Sequence, residues 1–410
     1  MKSPKSFRLH IGIFGRRNVG KSSLLNAVTH QEVSIVSDIA GTTTDPVEKP
    51  MELLPLGPVL FIDTAGIDDS GALGEKRIRK TMEVIDRTDL AILVSNSGEW
   101  GSFEELFVRK LEDNNIPVII VLNKSDLHET NDTLLQNLRS KNLPVAETSV
   151  LQQKGVDRLR ELILKNAPES FISRTAILAD LVGPGEMAVL VIPVDKEAPK
   201  GRLILPQVQS IRDLLDANAY CLVTKDDQLS EALSRLSIPP KLVVTDSQAF
   251  QKVSSIVPED IPLTGFSILM ARYQADLNQM VTGAMAIDRL RPGDHVLIAE
   301  ACSHHPIEED IGTVKIPNWL NNYIGGQLQF SYVRGHDFPV NISDYKLIVH
   351  CGACMWNRRA MLSRIMKARQ AGVPLTNYGL TIAYTLGIFE RALQPFPEAL
   401  QIYRKGKPIS

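Results

Sequence analysis

Apolar residues in this chain fall in short runs separated by stretches with helical spacing. Residues 9–14 (LHIGIF), 59–63 (VLFID) and 118–123 (VIIVLN) are near-continuous apolar runs of strand length. Runs of that kind, without alternation, fit strands buried on both faces of a parallel sheet. Helical spacing follows the first run at SSLLNAV and closes this third of the chain at GVDRLRELILKNAP, residues 155–168. Residues 169–185 read as a connector, with LVGPG marking a turn. A second set of apolar runs follows at 187–194, 219–224 and 241–246, spaced by helical patterns at 206–217, 226–236 and 247–256. From about residue 262 the pattern changes again. FSILMARYQADLNQMVTGAMAIDRL reads as one long amphipathic helix and HVLIAEA as a strand. IPNWLNNYIG is helical, LQFSYVRG is a strand, and the stretch from DYKLIVH to MKARQAG is strand, loop and helix.

The fold class expected is α/β in three parts: residues 1–170, a small α/β unit at 171–261, and a third α/β unit at 262–410. A chain of 410 residues is long enough for that many cores. The middle unit carries no cluster of catalytic residue types, so we expect it to dimerise or to act as a spacer. Its charged and then apolar segment 195–209 is either an interface element or a surface loop. A net charge of -2 argues against a nucleic-acid partner. With no leader pattern and no apolar run of membrane-spanning length, a cytoplasmic protein without a membrane partner is expected.

Chemistry concentrates at the ends of the runs. The first leads into GRRNVGKS, Gly15 to Ser22, and then a helix, which is the required context of a phosphate-binding P-loop. Gly15 and Gly20 let backbone N–H groups curl around phosphate oxygens. Lys21 supplies charge, and Ser22, with Ser23 beside it, brings a hydroxyl to Mg²⁺. In the loop GTTTD at 41–45, resemblance to translation-factor-like GTPases favours Thr43 as the Mg²⁺ and γ-phosphate contact. Asp63 would hold Mg²⁺ through water, and the Gly66 amide would meet the γ-phosphate. Asn123, Lys124 and Asp126 form the guanine-reading motif, because the Asp126 carboxylate can accept from both guanine donors. Ser149 and Val150, in ETSV, are the expected last base contact, although that motif is weak. Taken in order, these imply GTP hydrolysis.

Residue 67 is Ile, where Ras-like GTPases carry a water-orienting Gln. The P-loop with Asn18 resembles the potassium-stimulated TrmE/Era-like GTPases. That resemblance implies a K⁺ ion held with the help of Asn18.

Four cysteines in so long a chain do not make a disulfide framework. Cys221, inside AYCLVT, reads as a packed core thiol. Cys302 (AEACSHHP) and the pair Cys351 and Cys354 (VHCGACMW) fall at the carboxyl ends of expected strands, where α/β sheets place ligands. The helix after Cys354 would aim its amides toward an anionic cluster. With His304, His305 and His350 nearby, the spacing leaves three readings open. It can be a Cys₃His zinc site, a redox pair, or an iron–sulfur cluster on three thiolates. His305 and His295 read as packed or supporting groups.

The whole chain resembles the HydF family, the GTPases that mature FeFe-hydrogenases. The resemblance rests on the GTPase motifs, APKGRLILPQVQ, Cys302-Ser303-His304, the stretch His350 to Cys354, and PLTNYG at 374–379. It implies a [4Fe–4S] cluster on Cys302, Cys351 and Cys354, with His304 and His350 near it. It further implies a scaffold that holds a di-iron subcluster precursor and delivers it to apo FeFe-hydrogenase, alongside radical-SAM maturation enzymes. The competing reading is a TrmE-like GTPase that acts on RNA and carries a structural zinc.

Overall fold

The computed structural model describes residues 4–29, 46–66, 72–128, 130–172, 176–194, 201, 203–301, 310–339 and 341–406. These form two compact units, residues 1–174 and 175–410.

In the first unit the apolar runs become a six-stranded sheet. Its strands are β1 (Leu9–Phe14), β2 (Val47–Leu53), β3 (Gly57–Asp63), β4 (Leu90–Asn96), β5 (Val118–Asn123) and β6 (Val145–Glu147), in the order β2-β3-β1-β4-β5-β6. All neighbours are parallel except β2, which runs antiparallel to β3. Successive side chains alternate between the faces, so each strand feeds two cores. Leu9, Ile11 and Ile13 pack with Leu24, Leu25 and Val28 of α1 (Lys21–Thr29) and with Leu159 and Ile163 of α5 (Val156–Asn166). Phe14, Leu60, Ile62 and Leu93 pack on the other face with Phe107 and Leu111 of α3 (Ser102–Asp113). Helices α2 (Ala72–Ile85) and α4 (Asp132–Ser140) complete the βα repeats. The GRRNVGKS, DTAG, NKSD and ETSV segments follow the carboxyl ends of β1, β3, β5 and β6, the ligand edge of such sheets.

The second unit holds two four-stranded, all-parallel sheets. One contains β7 (Met187–Val191), β8 (Tyr220–Thr224), β9 (Leu242–Thr245) and β10 (Leu263–Gly265) in the order β10-β9-β7-β8. The other contains β11 (His295–Glu300), β12 (Gln329–Arg334), β13 (Leu347–His350) and β14 (Leu375–Asn377) in the order β12-β11-β13-β14. Val296, Ile298, Leu347 and Val349 of this last sheet pack against Ile316, Leu320 and Ile382 of its helices.

Three features depart from expectation. Strand β10 lies past the expected cut at 261, yet it pairs with β9 and so belongs to the middle sheet. The long amphipathic helix is two helices, Phe266–Gln274 and Leu277–Met285. The break falls where the Asp276 carboxylate accepts from Gln279 N–H at 3.1 Å and caps the second helix. The first of the two is buried almost all round, including Phe266, Leu269 and Tyr273. Cys221 is a free, half-buried thiol on β8, whose only neighbour among the described strands is β7, so it is not a core residue. The PLTNYG stretch is a short strand whose last residue, Asn377, caps the helix Tyr378–Thr385 through Leu380 N–H at 2.9 Å.

Candidate nucleotide site and cysteine site

The P-loop turns between β1 and α1. Gly15 (φ 144°) and Gly20 (φ 90°) adopt backbone conformations that side chains disfavour. A Cβ on Gly15 would lie 2.2 Å from the Val94 carbonyl, and one on Gly20 would lie 2.4 Å from Asn123 Nδ2. Asn18, exposed, takes the left-handed conformation (φ 59°). Lys21 opens α1, and its Nζ donates to the carbonyls of Gly15 (3.0 Å) and Arg16 (2.6 Å). The ammonium is therefore folded over the loop where phosphate oxygens would replace those carbonyls. Ser22 Oγ donates to Asp63 Oδ2 at 2.6 Å, and Ser23 follows, half-buried, on α1.

Asp63 Oδ1 is buried and has no hydrogen-bond partner among the described residues. Burial pushes the Asp63 carboxyl above the usual carboxylate range, against the Ser22 hydrogen bond and the Lys21 charge. A buried acceptor left open beside a serine hydroxyl fits a hydrated Mg²⁺. Gly66 lies against the P-loop: a Cβ there would meet Arg17 Cγ at 2.2 Å. Thr43 lies outside the described residues.

The base-reading motif shows a division of labour. Asn123 Nδ2 donates to the Val19 carbonyl (2.9 Å), while its Oδ1 accepts from Thr148 Oγ1 (2.9 Å). Asn123 thus braces the P-loop to the ETSV turn instead of facing outward. Lys124 (φ 59°) and half-buried Asp126 follow at the rim. Ser149 is fully buried, bridges Lys154 through its backbone, and takes a hydrogen bond on Oγ from Gln152 N–H at 3.2 Å. Val150 next to it is half-buried. Sequence reasoning missed the pair Arg16–Glu104. Arg16 donates to both oxygens of Glu104 (2.7 and 3.1 Å), a fully buried carboxylate that also accepts from Gly101 N–H at 3.0 Å. Glu104 lies in the first turn of α3, and no local pattern separates it from an ordinary acidic helix start.

In the last sheet, β11 and β13 are parallel neighbours, with Ala299 opposite His350. The register brings the residues that follow each strand together. Cys351 N–H donates to the Ala299 carbonyl at 2.9 Å, and Ala301 N–H donates to Cys351 Sγ at 3.1 Å. Cys351 and Cys354 are both half-buried and in no disulfide, on a loop that passes through Ala353 (φ 51°). Cys302 follows Ala301 in the chain and lies outside the described residues, as do His304 and His305. No group of three metal-ligating side chains occurs among the described residues. Two thiols on one loop, with a backbone amide aimed at one sulfur, fit an iron–sulfur cluster ligated by thiolates.

The buried Glu300 ends β11. Its carboxylate accepts from Tyr378 Oη and from Arg334 Nε, each at 3.1 Å. The helix after Cys354 begins only at Arg358, and the Asn357 side chain accepts from its Ala360 amide. That helix start is therefore capped from within the chain. His295 Nε2 hydrogen-bonds Ser331 Oγ at 2.8 Å.

His350 is wholly buried, with both ring nitrogens engaged. Nε2 faces Arg364 at 2.9 Å, and Nδ1 faces the Cys351 carbonyl at 2.8 Å. A guanidinium can only donate, so Nε2 is the acceptor and Nδ1 carries the proton. Burial, and then the Arg364 charge, push this imidazole down to about 3.

Residues 177–275 match the Hydrogen maturase F dimerization domain, and residues 278–395 match the Hydrogen maturase F tetramerization domain. Together these span more than half of the chain. The chain belongs to the HydF family. In this HydF-family chain, residues 10–124 match the 50S ribosome-binding GTPase family, so the first unit is a GTPase domain. Among curated proteins it is 36% identical over 152 residues to the tRNA modification GTPase MnmE of Bacillus licheniformis, covering 37% of this chain and 33% of that protein. It is 33% identical over 193 residues to GTPase Der of Wolinella succinogenes, covering 43% of this chain and 41% of that one. The HydF-family chain thus spans a third to two fifths of the length of these relatives. A solved structure of Era from Aquifex aeolicus, bound to GDP and aluminium fluoride, covers 60% of this chain and 97% of its own at 22% identity and a TM-score of 0.36. No helix among the described residues is long and apolar enough to cross a membrane.

Proposed function

We propose that this HydF-family protein is a GTP-hydrolysing scaffold for FeFe-hydrogenase maturation. In this reading Cys302, Cys351 and Cys354 hold a [4Fe–4S] cluster, and the protein carries a di-iron subcluster precursor to apo-hydrogenase. The observation that carries the cluster assignment is the contact of Ala301 N–H with Cys351 Sγ at 3.1 Å. It brings Ala301, the residue preceding Cys302, onto the sulfur of Cys351, although Cys302 and Cys351 are 49 positions apart in the chain (351 − 302). The bound cluster would supply an iron without a thiolate, open to ligand exchange. His350 is spent on Arg364 and the Cys351 carbonyl, so in this reading it supports the loop and does not ligate iron.

At the other unit, Lys21 would carry β- and γ-phosphate charge. Ser22 and Thr43 would hold Mg²⁺, with Asp63 Oδ1 accepting from one of its waters. Asp126 would read guanine. Asn18 would help to seat a K⁺ beside the phosphates, supplying the charge an arginine finger brings elsewhere. The protein self-associates in this reading, as the family's dimerization and tetramerization domains suggest. It works in the cytoplasm with the radical-SAM maturases and apo-hydrogenase as partners.

Anaerobic reconstitution with iron and sulfide tests the scaffold directly. A brown protein with about four iron per chain is expected. A colourless protein that takes up zinc instead would favour the competing reading of an RNA-directed GTPase. GTP turnover compared in K⁺ and Na⁺ tests the cation, and equal rates in the two salts would remove it.

A further inference from the structure

We propose that Arg364 is a positioning residue of the cysteine site, locking the orientation of His350 and placing a fixed positive charge behind the cysteine loop. The proposal rests on the cluster reading above. Arg364 lies on the helix Arg358–Gln370 and is 4% exposed. Its guanidinium makes three contacts of different kinds at once. NH1 donates to His350 Nε2 at 2.9 Å, and NH2 donates to the carbonyls of Gly335 (2.6 Å) and Asp337 (2.8 Å), just past β12. The guanidinium also lies over two rings, with Trp356 at 4.3 Å and Phe338 at 4.7 Å from its central carbon. Trp356 comes two residues after Cys354, and His336 stacks on it at 5.0 Å with planes 4° apart.

Arg364 therefore ties together the end of β13, the end of the cysteine loop and the segment after β12. Its donation to Nε2 leaves the His350 proton on Nδ1, where it is given to the Cys351 carbonyl. The peptide that carries the first thiol of the pair is then fixed from behind. A lysine could carry the charge but not the planar fork that reaches three acceptors at once. The charge has its own consequence. A cluster on thiolates gains negative charge on reduction, and a buried cation nearby favours that state more than it would in water.

The test uses the full chain with Arg364→Met and Arg364→Gln. Met removes both donors and charge. Gln keeps one amide donor for His350 but is neutral. Histidine-selective nitrogen NMR of the metal-free protein reads the tautomer. Redox titration and EPR after anaerobic reconstitution read the cluster. In the parent protein we expect a single His350 form with Nε2 unprotonated. In R364M that form gives way to a mixture, the reduced-cluster EPR signal splits into more than one species, and the midpoint moves to more negative potential. R364Q keeps the parent tautomer while its midpoint also moves negative. A folded R364M with the parent tautomer and the parent midpoint overturns the proposal and leaves Arg364 a packing residue. If R364M does not fold, an unchanged midpoint in R364Q overturns it equally. Iron uptake by the parent protein is read separately. A parent that binds no iron defeats the cluster reading, while the tautomer measurement still tests the hold on His350.

Discussion

Two buried histidines and one buried aspartate carry most of the residue-scale chemistry. Burial lowers the pKa of His10, against the opposing charge of Asp89, and pushes His350 down to about 3. In both cases the folded chain binds fewer protons than the unfolded chain, whose histidines titrate near 6.5. Stability is thus fully present above that pH and is lost as pH falls from there toward the folded values. Each such group steepens the loss by about 1.4 kcal/mol per pH unit. Denaturant unfolding of the metal-free protein between neutral and mildly acidic pH should show this slope. His350→Asn, which keeps a donor for the Cys351 carbonyl, should flatten it, and an unchanged slope would show that His350 is protonated in the folded state. Asp63 works in the opposite sense, because burial raises its pKa and a bound cation would hold it ionised. Asp63→Asn should weaken the Mg²⁺ dependence of GTP turnover by at least about tenfold, read from magnesium titrations. Undiminished magnesium affinity would mean that the open Oδ1 has no cation to serve.

At the scale of elements, the sequence is most legible where a strand runs into its functional loop. GRRNVGKS, DTAG and NKSD were readable because the apolar runs before them are long and both-sides buried. The same logic placed Cys302 and Cys351 after strands, and the structure makes those strands neighbours. What escaped is set by tertiary contact. Asn123 reads as a base contact from its motif, but its amide joins Val19 to Thr148, loops far apart in the chain. Glu104 shows its role only once α3 brings it under Arg16. The break between the helices Phe266–Gln274 and Leu277–Met285 has a local cause. Asp276 can cap, and the periodicity across it concealed the start of a new helix. Asp276→Ala should cost about 1 kcal/mol of stability. The cost should appear as a lower unfolding midpoint with an unchanged denaturant slope, and no loss would mean that packing alone sets the break.

At the scale of the molecule, the middle sheet raises the question of what covers its edge. Among the described strands β8 has only β7 as a neighbour. Tyr220 is 64% exposed and Val223 45% exposed on it, and Leu215 at the end of the preceding helix is also exposed. An apolar strand edge left to solvent is an aggregation hazard that proteins normally blunt with charge or cover. Here the edge carries apolar side chains instead, inside the segment that matches the family's dimerization domain. A second copy of the chain is the cover that this composition suits. Val223→Lys places a charge on that edge and lies in neither the P-loop nor the cysteine loop. Light scattering after size exclusion should then show smaller species than the parent at equal concentration. The parent's melting temperature should fall on dilution while that of the variant stays level, because association that stabilises only the folded chain acts by mass action. If V223K assembles as the parent does, the β8 edge faces solvent and the subunits meet elsewhere.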